Sequence, residues 1–181
     1  MGTKQEGAMN RQAVSIIVVA CCVVTLSACG YRFAGGRCLP QGVTRVFIEI
    51  LDNRTAETGV ERLFTNNLIG ECIRMNEGLL APSRDVADGI LTGTIVRLSV
   101  GSLTRSSVSA SVERELSGRI RLQLISMDGR ILWASGDMIE RQTFAVVSDD
   151  KSATDRNKSQ AISAISSKLA ETAFSRLTAD F

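Results

Sequence analysis

The clearest alternation of apolar and polar residues in the chain is VERELSGRIRLQLIS, Val112–Ser126. Leu116, Ile120, Leu122 and Leu124 fall on one side of an extended chain, because side chains alternate between the two faces of a strand. The other side carries Glu115, Ser117, Arg119, Arg121 and Gln123. The stretch therefore predicts a β-strand in a sheet that is buried on one face and polar on the other.

Three further strands are predicted around this stretch. Asp128-Gly129 gives a strong hairpin signal and leads into a strand from residue 131 to about residue 144, whose irregular alternation is consistent with a bulge. Residues 90–100 predict a strand whose even-numbered positions form the more apolar face. Residues 46–51, VFIEIL, are rich in β-formers and predict the first strand, which the turn residues 52–55, DNRT, end.

Two stretches have the three- and four-residue spacing of amphipathic helices. The first begins at a capping-box pattern, Thr58 and Glu61, and ends near Gly78. Its apolar face is Val60, Leu63, Phe64, Leu68, Cys72 and Met75. The second can be capped by Ser152 or Thr154, and its stripe is Ile162, Ile165, Leu169, Ala173 and Leu177.

The order of these elements, β-α-β-β-β-α, predicts the fold class. A helix after the first strand implies a crossover, so the first strand is expected to lie parallel to a neighbour, whereas the later strands are joined as hairpins. Two amphipathic helices can cover one face of the sheet. We therefore expect an α+β fold, a two-layer sandwich with a four-stranded mixed sheet and two helices on one face, in one domain over residues 46–181.

The N-terminal residues 14–30, VSIIVVACCVVTLSACG, have the form of a lipoprotein signal. The apolar run follows Lys4 and Arg11 and ends in Leu26-Ser27-Ala28-Cys29, the spacing of a bacterial lipobox. This predicts a signal peptide over 1–28, whether translation starts at Met1 or Met9, and a lipidated N-terminus and short lead over 29–45. The alternatives are an ordinary signal peptide and an uncleaved anchor. From Cys29 to Val46 the extended chain reaches only about 60 Å, which keeps the domain near its membrane.

The composition argues against several classes of function. Lys and Arg number 21 against 19 Asp and Glu, whereas a domain that binds nucleic acid is normally strongly basic. The chain has no histidine and so lacks the commonest general base and metal ligand. The paired carboxylates Asp149-Asp150 have no accompanying catalytic motif and are expected to be solvated. We therefore expect no enzymatic activity, no metal and no cofactor.

Cysteine and tryptophan residues of the predicted mature chain have structural interpretations. Cys38 and Cys72 could pair in an oxidising compartment. Alternatively, Cys72 is a buried small hydrophobe, since it falls on the apolar stripe of the first helix. Two cysteines without a histidine do not favour a zinc site. Trp133 is expected in the core, because it opens a strand beside apolar neighbours.

Arginines are the candidate binding residues, because a guanidinium group can bind a phosphate group through two hydrogen bonds. Three are expected on or near the polar sheet face, two flank or enter the Ser-rich connection 101–111, and one ends the fourth strand. In that order they are Arg97, Arg119 and Arg121, then Arg105 and Arg114, then Arg141. The alternative is a solvated face on which arginines balance Glu113 and Glu115.

The chain resembles the LptE family of lipopolysaccharide-assembly lipoproteins over essentially all of its predicted mature length. The resemblance is carried by CGYRF at 29–33, LP at 39–40, NRTAETGVE at 53–61, ADGILTG at 87–93, GRILW at 129–133 and the Ala-rich last helix. The order and spacing of these pieces are more specific than any one of them. Position 58 departs from the family, since Thr58 stands where many relatives have proline.

The resemblance implies a function, a location and partners. Members of the family plug the barrel of an outer-membrane protein, LptD, assist its assembly and bind lipopolysaccharide. The chain is thus expected to be lipid-anchored at the outer membrane, facing the periplasm, and Gly30 agrees because it is not the aspartate that favours inner-membrane retention. Another envelope role, such as a lipoprotein activator of cell-wall synthases, is the alternative.

Overall fold

The computed structural model describes residues 39–102 and 112–179. The strands are β1 (Val46–Ile48), β2 (Asp52–Asn53), β3 (Gly89–Ser102), β4 (Val112–Ser126), β5 (Ile131–Ala134) and β6 (Met138–Val146), and the helices are α1 (Val60–Met75) and α2 (Lys151–Ala179). Short 3-10 turns lie at Pro40–Gly42, Glu77–Leu79 and Arg84–Val86. The predicted signal peptide, Cys29, Cys38 and Arg105 lie outside the described residues.

The described strands form one mixed sheet with four rows. β3 and β4 pair antiparallel in the centre. β1 and β2 both pair parallel with β3 and together make one edge row, and β5 and β6 both pair antiparallel with β4 and make the other. The order β1-β3-β4-β5 confirms the predicted α+β class and its mixed sheet.

Both edge rows are interrupted where the sequence analysis expected something simpler. Asp52 and Asn53 do not end the first strand, because they pair with Thr94 and Ile95 of β3 and continue its edge row. The fourth predicted strand is broken rather than continuous, since residues 135–137 belong to neither β5 nor β6. Gly136 allows this break, because its φ of 63° is a conformation that other residues rarely adopt.

The prediction that even-numbered positions form the apolar face of β3 is wrong for its first half. Leu91 and Ile95 belong to the hydrophobic core beneath the helices. The register with β4 then shifts between Ile95 and Arg97, which makes Val96 the extra residue of a β-bulge. Beyond the bulge the alternation is reversed, so Leu98 contacts the core and Arg97 lies on the opposite face.

The helices cover one face of the sheet, and their side chains form the core with the apolar side of β4. Leu116, Ile120, Leu122 and Leu124 are all buried, as their alternation predicts. The predicted stripe of α2 is buried over its whole length, and the predicted face of α1 is buried or packed against the core. Trp133 is only 7% exposed and belongs to this core.

The two helices lie side by side and run in the same direction. Lys158 of α2 forms an ion pair with Glu57, just before α1. Further along both helices, the Asn67 amide nitrogen donates a hydrogen bond of 2.7 Å to the Ser166 hydroxyl. Glu71 is not part of the predicted apolar face of α1, but it is buried, and both its carboxylate oxygens accept hydrogen bonds from Arg74.

The predicted helix caps are both wrong. Gly59, with a φ of 81°, is the N-cap of α1, and no side chain makes its capping hydrogen bond. The Glu61 carboxylate accepts a hydrogen bond from the Asn53 amide instead of closing a capping box. At α2 the Asp150 carboxylate accepts a hydrogen bond of 2.8 Å from the backbone N–H of Ala153, which makes Asp150 the cap.

Candidate functional site

Four of the predicted arginines lie on the outer face, the side of the sheet turned away from both helices. Arg119 and Arg121 are on β4, on the side opposite its buried leucines. The bulge brings Arg97 of β3 directly opposite Arg119. Arg141 of β6 pairs with Ser117, two residues before Arg119 on β4. The central part of the outer face therefore carries guanidinium groups on three neighbouring strands.

Arg119 and Arg121 share one carboxylate, that of Asp137. Arg121 donates to Oδ1 of Asp137 through its Nε, and Nη1 of Arg119 lies 3.3 Å from Oδ2. The hydrogen bond from Arg121 is the main reason that the pKa of Asp137 lies below its usual value, and it raises the pKa of Arg121 in turn. One negative charge thus serves two arginines.

The other two arginines of the outer face differ in their partners. Arg141 forms an ion pair of 3.5 Å with Glu115, which agrees with the alternative of charge balance across the face. Arg97 is exposed and forms no ion pair or side-chain hydrogen bond within residues 39–102 and 112–179. Glu113, the second carboxylate of the predicted balance, is exposed and forms no ion pair with any residue in those ranges.

Arg114, another of the predicted arginines, is not part of this cluster. Arg114 pairs with Phe144 and so belongs to the side of β4 that faces the helices, where it is exposed at the end of the strand. Arg105 lies outside the described residues. Asp137, in contrast, was missed by sequence reasoning, because an isolated aspartate after Ser135-Gly136 carries no motif that indicates its two partners.

One end of the outer face is apolar, so the prediction of a wholly polar face is incomplete. Four apolar residues are cross-strand neighbours in a line that runs from β1 to β5: Phe47, Ile90, Ile125 and Ile131. Ile90 is buried, whereas Ile131 is 58% exposed. Thr92 and Gln123 lie between these apolar residues and the arginines, and Thr94 pairs with Arg121.

Three further features of the described residues bear on function. No group of three or more potential metal ligands occurs within 39–102 and 112–179. None of the helices in those ranges combines the length and apolarity needed to cross a bilayer. Cys72 is a free thiol in the core, and its burial raises its pKa to about 11, which agrees with a structural role.

Comparison with known proteins identifies the family. The sequence model of the LptE family, lipopolysaccharide-assembly, matches residues 43–177. No curated protein matches the chain. Among solved structures, lipoprotein B of Nitrosomonas europaea has a TM-score of 0.58 at 13% identity, over 83% of this chain and 91% of that chain.

A second solved structure, the rare lipoprotein B of Shewanella oneidensis, has a TM-score of 0.45 at 14% identity. The match covers 74% of this chain and 95% of that chain. At this identity the Nitrosomonas structure supports the fold alone. The family model spans most of the sequence, including the whole sheet, α1 and all but the last two residues of α2. The chain belongs to the LptE family of lipopolysaccharide-assembly lipoproteins.

Proposed function

We propose that this chain is an outer-membrane lipoprotein that binds lipopolysaccharide and a large LptD-like β-barrel, and that it helps to assemble and plug that barrel. It performs no bond chemistry. In this proposal the signal peptide 1–28 is removed, Cys29 carries the lipid, and residues 46–181 form the domain that faces the periplasm. The match of the family model over residues 43–177 is the observation that carries the proposal.

The outer face supports the part of the proposal that concerns lipopolysaccharide. Lipopolysaccharide carries phosphate groups on its sugars, and arginine is the side chain best suited to bind them. Arg97, Arg119, Arg121 and Arg141 are half-exposed or exposed and lie on adjacent strands, so one ligand can reach several of them. The helices leave this face of the sheet open.

Charge reversal on the outer face tests lipopolysaccharide binding. We expect Arg119→Glu with Arg121→Glu to reduce binding of lipopolysaccharide by the purified full-length chain at least tenfold, because charge-assisted contacts become repulsive. Arg156→Glu with Arg176→Glu makes the same charge change on exposed positions of α2 and should retain binding. Equal binding by both variants and the unchanged chain would refute a role for the outer face.

Mass spectrometry tests the proposed anchor. The mature chain in the membrane fraction should begin at Cys29 and carry two or three acyl chains. Cys29→Ser removes the thiol that forms the thioether and should leave an unlipidated chain. An intact chain with an unmodified Cys29 in membranes would show that the N-terminal run is an ordinary or uncleaved anchor.

A further inference from the structure

We propose that Arg97, Arg119 and Arg121 form a phosphomonoester site on the outer face, and that the Asp137 carboxylate occupies this site until the ligand displaces it. The inference rests on the proposed function and names the chemical group that is recognised and the residue that competes with it.

The pairing of Arg97 with Arg119 indicates an anion site. The two residues lie directly opposite each other on β3 and β4, a position at which side chains are close and like charges destabilise the pair. Arg97 has no carboxylate partner within the described residues. The bulge at Val96 is what turns Arg97 to this face, and bulges commonly reorient a side chain next to a functional site. An anion between the two guanidinium groups removes the repulsion.

Asp137 already shows how an anion binds there. Its two oxygens divide between Arg121 and Arg119, in the way that two oxygens of a phosphate group would. A carboxylate has one charge and two oxygens, whereas a phosphomonoester has a charge of about −1.5 to −2 and three oxygens at neutral pH. The phosphate group can therefore satisfy Arg97 as well, which Asp137 does not.

The position of Asp137 allows the exchange. It belongs to neither β5 nor β6, so its side chain can leave the arginines without breaking a strand pair. The side chains of Asp137, Arg119 and Arg121 are 33%, 42% and 60% exposed, which leaves all three accessible from the solvent. A ligand on the outer face thus meets arginines that the Asp137 carboxylate holds in place. The carboxylate carries less charge than a phosphomonoester and can be displaced by it.

Neutralising Asp137 gives the test. We expect the full-length Asp137→Asn chain to bind lipopolysaccharide roughly threefold tighter or more, the size of one exposed charge pair. Asp128→Asn is the matched control, since Asp128 also pairs with an arginine, Arg130, but at the β4–β5 hairpin. It should leave the affinity unchanged. Arg97→Gln should weaken binding by a similar factor, although the Arg97 side chain forms no ion pair or hydrogen bond within the described residues.

Three further arms identify the ligand group. The gain in Asp137→Asn should vanish with lipopolysaccharide stripped of its phosphates, and a gain that persists would overturn the phosphomonoester. Inorganic phosphate should compete weakly, and binding as tight as that of lipopolysaccharide would overturn a lipid-borne source. Unchanged or weaker binding by Asp137→Asn, beside a loss in Arg119→Glu with Arg121→Glu, would overturn the inference and leave the proposed function intact. No lipopolysaccharide binding by any chain would overturn both.

Discussion

Gly118 lies on β4 beneath α2, where the structure has no room for a side chain. A Cβ atom there would lie 2.6 Å from Cγ2 of Ile165 and 3.3 Å from Cδ2 of Leu98. Ile165 is buried and its branched side chain has few alternative rotamers, so an added methyl group must push α2 away from the sheet. We expect Gly118→Ala to lower the free energy of unfolding by about 1–3 kcal/mol in urea denaturation.

Gly101 provides the control for this prediction. It lies on the next strand, β3, and the nearest atom to a Cβ at this position is the Glu115 carbonyl oxygen at 3.9 Å, an ordinary contact. Gly101→Ala should therefore leave stability unchanged or slightly raised. If Gly118→Ala lowers the free energy of unfolding no more than Gly101→Ala does, the close approach of α2 to Gly118 does not exist in solution.

The Cys72 thiol makes stability depend on alkaline pH. Its burial raises its pKa from 9.0 to about 11, so the folded chain holds this proton more tightly than the unfolded chain. This contribution to stability is fully present below pH 9.0 and is lost as the pH rises towards about 11. Urea denaturation should show a steeper alkaline loss for the unchanged chain than for Cys72→Ala, which is less stable at neutral pH because of its cavity. Parallel pH curves would contradict the prediction.

The cap of α2 is a prediction at the scale of the element. Asp150 accepts the hydrogen bond from Ala153 N–H and places a negative charge at the N-terminus of the helix. We expect Asp150→Ala to lower the free energy of unfolding by about 1 kcal/mol, measured by thermal unfolding. Ser152→Ala, at the second residue of the helix, should change it by less than about 0.5 kcal/mol. The reverse order would assign the cap to Ser152.

Elements in which apolar residues recur at one regular spacing could be predicted from the sequence. β4 alternates without a break, α2 keeps its stripe from Ile162 to Leu177, and Asp128-Gly129 forms the expected turn, with Gly129 at a φ of 85°. In each case the local pattern and the tertiary contacts agree. The α+β class and the four rows of the sheet follow from these elements and their order.

Elements in which the period changes could not be predicted in the same way. The bulge at Val96 reverses which face of the sheet the even-numbered residues of β3 occupy. A prediction that assumes strict alternation along the whole strand misses such a reversal. The pairing of Asp52 with Thr94 depends on the path of a distant strand, not on local turn chemistry. Arg97, Arg119 and Arg121 were expected on the polar face from the sequence, whereas Arg141 was expected only at the end of the fourth strand and lies within β6. Asp137 lies 16 residues from Arg121, and only the fold brings the two together.

At the scale of the whole molecule, the sheet of the described residues separates the packed core from the exposed outer face. Side chains of the helices and of the buried face of β4 form the core. The outer face has arginines in its centre and a line of apolar residues across the strands at one end. No element in the described ranges lies over the arginines, so a partner can reach them. This arrangement agrees with the proposed binding of lipopolysaccharide and of a barrel partner.

Co-purification of the full-length, tagged chain from gently solubilised membranes tests the central claim most directly, namely that a lipid-anchored member of the LptE family binds a β-barrel partner and lipopolysaccharide. We predict that a large outer-membrane β-barrel and lipopolysaccharide are recovered with the chain, and that the Arg119→Glu, Arg121→Glu variant retains less lipopolysaccharide. Recovery of the chain alone, or with a penicillin-binding protein in place of the barrel, would contradict the account.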